Sequence, residues 1–279
     1  MQTLNRNTYI AAIWVLCLTL SFSCSRQSIY SSLWQPEPIQ INTRPPGWDN
    51  ASEFDRTTRL HYAVSNDQEN MYVFLKSSDR TMQMKMLRAG VQLGIDTTGG
   101  KNVHLSLHYP FLPAAMAAIA GMERLGGTQS GSRPEAVNRF LSGAGTMHVS
   151  GFPGHDRGEL PHDMPGKINV NLEMDEREDL HFWAVIPLKY LGVTPENVWG
   201  KPLALTVSLP GIDTGQRSGT QRGGRPTDGI RINPDGGRVG AQPVGDNRPR
   251  PGMQSAPADP ETMRRTQSFH LVFNLSARQ

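Results

Sequence analysis

The side chains with the widest chemical reach cluster just past the middle of the chain. His148, His155, Asp156, His162 and Asp163 fall close together, interspersed with Gly and Pro. Neutral imidazole and carboxylate both donate to zinc, so a metal-dependent hydrolase using His155 and His162 is one reading. The spacing matches no ligand pattern, and a solvated loop over 151–166 is the expectation. His104 and His108 form a second pair, alternating with Val103, Leu105, Leu107 and Tyr109. A strand would set them about 13 Å apart, too far for one ion, so they read as solvent-facing histidines.

Other chemistry is sparse. The sequence holds no Gly-x-Ser-x-Gly elbow, no His-Glu-x-x-His, no phosphate-cradling loop and no Cys-based zinc spacing. Nothing in it sets two of its 25 acidic residues on neighbouring strands for acid/base work. The reading is therefore non-enzymatic, with no cofactor. Arg222-Gly223-Gly224-Arg225 looks like an RNA-binding segment, but aromatics are absent around it and acids dilute its charge. With a formal net charge of +3, no nucleic-acid partner is expected.

Cys24 carries the sharpest signal. Asn5-Arg6-Asn7 precedes an apolar run from Tyr9 to Phe22, and Ser21 and Ser23 lead into Cys24. This is the pattern of a secretory signal peptide over 1–23, too short for a membrane span. Cys24 is then the lipidated N-terminus of a bacterial lipoprotein, with Ser21 standing where an apolar residue is usual. Ser25-Arg26-Gln27 lacks an acidic export run, which points to the periplasmic face of the outer membrane. The partner there is the membrane, through the lipid.

The elements that position these residues are strands. Leu60, Tyr62 and Val64, then Met71, Val73 and Leu75, then Val91, Leu93 and Ile95 each alternate with polar residues. Period-2 alternation between Asn/Asp/Ser/Gly turns marks half-buried antiparallel strands. Further strands are expected over 103–109, 167–172, 180–186, 203–209 and 269–275. Met82, Met84 and Met86 fit a strand edge or one helical turn. An acidic turn, Asp175 to Asp179, joins two strands and should keep its charges in water. Residues 111–150 read as a helical insertion, with Ser132 as an N-cap. Residues 210–266, rich in Gly, Pro and Arg, read as a disordered loop. The expectation is an all-β antiparallel sandwich over 38–279, joined by a tether over 24–37.

The unit Tyr62-Ala63-Val64-Ser65-Asn66-Asp67, Asn70 to Lys76, Ser78-Asp79 and Gly94-Ile95-Asp96 resembles the family 9-like carbohydrate-binding modules. Trp48 matches the family's earlier Trp, and the overlap spans about 48–107. The resemblance implies a β-sandwich that binds sugar between Trp rings, without catalysis. Trp34, Trp48, Trp183 and Trp199 are the Trp residues after Cys24. Trp183 reads as core, and Trp199 and Trp48 are the candidate glycan contacts. The resemblance also implies structural calcium, for which Asp79 and Asp96 are candidates, although turn-capping fits them better. The function expected is an envelope-anchored glycan-binding lipoprotein. The alternative is an assembly lipoprotein that binds another envelope protein.

Overall fold

The structure is a computed structural model, and it describes residues 29–40, 48, 52–111, 132–163, 167–192, 201–212 and 260–277. Strands β1 to β13 are Tyr30–Ser31, Leu33–Trp34, Glu53–Asp55, Leu60–Asn66, Asn70–Ser77, Val91–Asp96, Leu105–Tyr109, Thr146–Phe152, His155–Pro161, Asn169–Met174, Leu180–Pro187, Leu203–Leu209 and Gln267–Asn274. Helices α1, α2 and α3 are Arg80–Ala89, Arg133–Ser142 and Pro260–Arg264. The strands form a seven-stranded sheet, β1-β13-β12-β6-β7-β8-β9, and a six-stranded sheet, β10-β11-β5-β4-β2 with β3 on β4.

The alternation that predicts the strands also builds the core. Val64, Val73, Leu75, Phe182 and Leu172 of one sheet meet Leu93, Leu107, Val149, Leu205 and Phe273 of the other in a single buried cluster. Removing these apolar faces from water is the main term favouring this packing. The fold is a β-sandwich. It departs from the purely antiparallel expectation because β1 joins β13, and β2 joins β4, in parallel.

Those two strands also move the start of the domain. Residues 30–34, expected in the tether, add an edge to each sheet. Ser32 between them bonds Asn66, and Ser276 N donates to Ser32 Oγ at 2.9 Å. The loop expected over 151–166 is in part a strand pair, β8 with β9. His-Asp-Arg-Gly-Glu-Leu-Pro, at the edge of the seven-stranded sheet, has no apolar alternation to announce the strand.

Met82 and Met86 belong to a helix rather than a strand edge. Asp79 caps α1 by accepting from Met82 N at 3.0 Å, and the two Met side chains lie one turn apart in the core. Gly90 ends the helix at φ +73°, where a Cβ would stand 2.5 Å from Pro110 O. In α2 the predicted Ser132 cap is present, with Glu135 completing a capping box. Asn138 of α2 then clamps the edge strand β10, donating to Met174 O and accepting from Met174 N, both at 2.8 Å. The other helix expected in the insertion, near 114–125, lies outside the described residues.

The end of the loop expected over 210–266 is ordered. Residues 260–266 hold α3 and return to the sheet, and Ile212 N donates to Met263 O at 2.8 Å. Buried Lys85 of α1 donates to Thr262 O, Arg265 O and Gln267 Oε1. Burial pushes its pKa down to about 8.

Candidate functional site

The outward sides of the two sheets are unlike. On the six-stranded sheet, Ala63, Tyr72, Phe74 and Trp183 point outward and form a second buried cluster with Trp48. Trp48 is 3% exposed, edge-on to Phe74 at 5.3 Å between ring centres. A ring so enclosed has no free face for a pyranose, so the structure places this candidate contact in the core. The other candidate, Trp199, and the lipidation candidate Cys24 both lie outside the described residues.

On the seven-stranded sheet the outward rows are mostly polar. Register carries one row across six strands: Ser268, Ser208, Gln92, His108, His148 and Glu159. The neighbouring row runs His270, Thr206, Gly94, Ser106 and Ser150. Directly opposed residues in antiparallel pairs share a face, so these side chains form one surface. A cleft of about 330 Å³ opens on it, floored by Gln92, Gly94, Ser106, Thr206 and Ser208.

Two apolar side chains and two imidazoles shape the cleft. Val103 is 47% exposed and leans over Gly94, where a Cβ would stand only 2.7 Å from a Val103 methyl. Phe111 stands beside both histidines, 5.4 Å from the His108 ring and 4.9 Å from that of His148. Its backbone N–H donates to Thr146 O at 3.2 Å, which ties the segment to β8. His108 Nε2 lies 2.6 Å from Ala89 O and can only donate to that carbonyl. Burial and, more weakly, His148 hold the His108 ring below the ordinary histidine range, against the Ala89 bond.

Val103 is placed by the turn after β6. Asp96 Oδ1 accepts from Thr98 N at 2.8 Å and Thr98 Oγ1 at 2.6 Å, and Oδ2 accepts from Asn102 N at 2.9 Å. Burial alone would raise its pKa, but these bonds outweigh it and hold the carboxyl below its usual range. Asp79 caps α1 and pairs with Arg59 at 2.7 Å. Both acids named for calcium thus serve turns and caps.

The histidines read as metal candidates separate. His155 opens β9 beside Tyr190, whereas His162 follows its end and stacks on Tyr109 at 5.6 Å. An extended strand puts about 20 Å between such positions, too far to share an ion. Among the described residues, Asp175, Asp179 and His181 bring three donor atoms within 4.8 Å of one another. Asp175 accepts from Arg177 N and Asp179 N at 2.9 Å and from His181 Nε2 at 3.0 Å. Lys76 Nζ stands 3.6 Å from Asp179. These contacts close the turn between β10 and β11, so its acids do structural work instead of only facing water.

The cleft escapes sequence reading because four strands and two loops supply it. Only the alternation placing His104 and His108 opposite Leu105 and Leu107 hinted at a polar outer face. Phe111, just after that strand, carries no local mark of its role.

No family model matches the chain, and no curated protein matches it. Among solved structures it is similar to a carbohydrate binding module family 9 from Caldicellulosiruptor kristjanssonii in complex with glucose. That likeness covers 90% of this chain and 96% of that chain, at 10% identity and a TM-score of 0.38. A carbohydrate binding module family 9 from the same organism, in complex with cellotriose, is similar over 66% of this chain and 78% of that chain. There the identity is 9% and the TM-score 0.33.

Proposed function

We propose that this chain is a non-catalytic glycan-binding domain, held by lipidated Cys24 on the periplasmic face of the outer membrane. The observation that carries the binding reading is the cleft on the seven-stranded sheet. It joins an aromatic edge, Phe111, to convergent hydroxyl, amide and imidazole groups from four strands. Sugar binding needs that combination: ring CH groups pack on an aromatic surface while polar side chains pair with hydroxyls. The sequence resemblance from Trp48 to Leu107 supports the same reading. The anchor rests on the N-terminal sequence alone.

A glycan array probed with the chain from Ser25 onward tests the binding reading. A reproducible hit should weaken about tenfold in Phe111→Ala, the scale of one aromatic contact. It should persist in Trp48→Ala protein that remains folded. A blank array would reject the glycan reading and favour a protein partner in the envelope. Metabolic labelling with a palmitate analogue tests the anchor, with Cys24→Ser expected to lose the label.

A further inference from the structure

We propose that the cleft on the seven-stranded sheet selects a saccharide bearing a carboxylate, a uronic acid, over its neutral counterpart. This rests on the glycan-binding reading of the cleft and names the class of sugar it takes. The lining contains no Asp, Glu, Lys or Arg; its ionisable side chains are His108 and His148. They are direct register partners on β7 and β8, and Phe111 contacts both rings. Nε2 of His108 is committed to Ala89 O, which leaves Nδ1 as the atom for an added proton or a ligand.

The lining chemistry separates the two kinds of sugar. A neutral sugar meets the same lining, Gln92, Ser106, Thr206, Ser208 and the two imidazoles, but brings no charge to pair with an imidazolium. A carboxylate meets two imidazoles that can each become a charged donor, and charge-assisted hydrogen bonds are about twice as strong as neutral ones. Two imidazolium groups on facing positions repel each other. A carboxylate bound between them offsets that repulsion and favours their protonation.

The groups around the pair set the sign of the pH dependence. His148 faces His108 from β8, and Gln92 faces it from β6 without charge. Exposed Glu159 faces His148 from β9, and among the described residues no ion pair joins them. Beyond Gln92, β12 presents Ser208 and Thr206. His270 of β13 is hydrogen-bonded to Thr206 at 3.1 Å. Protonation therefore makes the cleft cationic, so uronide affinity rises as pH falls and neutral-sugar affinity stays flat.

Titration calorimetry on the full-length chain in detergent tests this, using oligouronides and their methyl esters, which remove the charge at the expense of one added methyl group. The acid should bind about tenfold more tightly at pH 5.5 than at pH 8, the scale of one charged hydrogen bond. The ester should change less than about twofold, the uncharged control for that bond. His148→Gln should flatten the acid's pH dependence, and Glu159→Gln should tighten acid binding. Equal binding of acid and ester, or a pH-independent acid, overturns the proposal and leaves the glycan reading intact. Failure of every saccharide on the array overturns both. Unchanged thermal unfolding of His148→Gln confirms that its effect is local.

Discussion

Tyr72, Phe74 and Trp183 leave the six-stranded sheet beneath Trp48, whereas Ser106, His108, Thr206 and Ser208 leave the seven-stranded sheet where, among the described residues, the apolar side chains of Val103 and Phe111 flank them. Both faces arise from the same alternation, with every second residue pointing away from the shared core. Chemistry makes the difference. Large aromatics facing outward must be roofed to avoid water, while hydroxyls, amides and imidazoles remain hydrated at little cost. One face is therefore committed to stability, while the other can stay hydrated and is the one we propose for a ligand.

Removing the roof should give the largest effect on stability. Trp48→Ala uncovers Phe74 and Trp183 and should cost about 3–5 kcal/mol, in the range of large aromatic truncations. Chemical denaturation would measure it. Glycan affinity of the folded fraction should be unchanged, because that cluster and the cleft lining share no residue and lie on different sheets. A combined loss of stability and affinity would break the division between the faces.

Asp96 is where the two roles meet. Asp96→Ala frees Thr98 N and Asn102 N and releases the turn that sets Val103 over Gly94. A stability loss of about 1–3 kcal/mol is expected from the unsatisfied groups, together with weaker glycan binding. The pH dependence has a definite sign. Because the folded carboxyl titrates below its unfolded value, its contribution is complete above about pH 4 and fades as acid protonates it. Acid unfolding of wild type and variant should therefore converge at low pH. An unchanged gap at pH 2 would sink this account of Asp96.

Much of the frame could be read from the chain, and the reasons are local. Leu60 to Val64, Met71 to Leu75 and Val91 to Ile95 alternate cleanly because each of these strands has one face in the common core. Ser132 with Glu135 announced α2 because a capping box is a short-range device. What could not be read depends on register. His108 and His148 are forty residues apart in sequence, and only the β7–β8 pairing makes them neighbours. Tyr30 to Trp34 looked like tether because strands this short show no period. Trp48 was read both as core plug and as sugar contact, since the residue type alone fits either face. The helix at Arg80 was ambiguous because Met82, Met84 and Met86 also satisfy a period of two; the Asp79 cap resolves it.

The smallest expected stability change gives the sharpest contrast. Ser208 lies in the outward row beside Gln92, half-buried, with its hydroxyl lining the cleft. Ser208→Ala removes one polar group from a hydrated surface, so stability should shift by no more than about 0.5 kcal/mol. The same change removes a hydrogen-bonding partner from the sugar's path and should weaken binding by about two- to tenfold, the net worth of one neutral bond. Denaturation and calorimetry on one preparation would read both quantities. If stability falls while affinity holds, Ser208 is scaffolding and the open face is narrower than its row of polar residues implies. If affinity falls alone, this face can be altered for binding without loosening the fold, as Trp48 cannot.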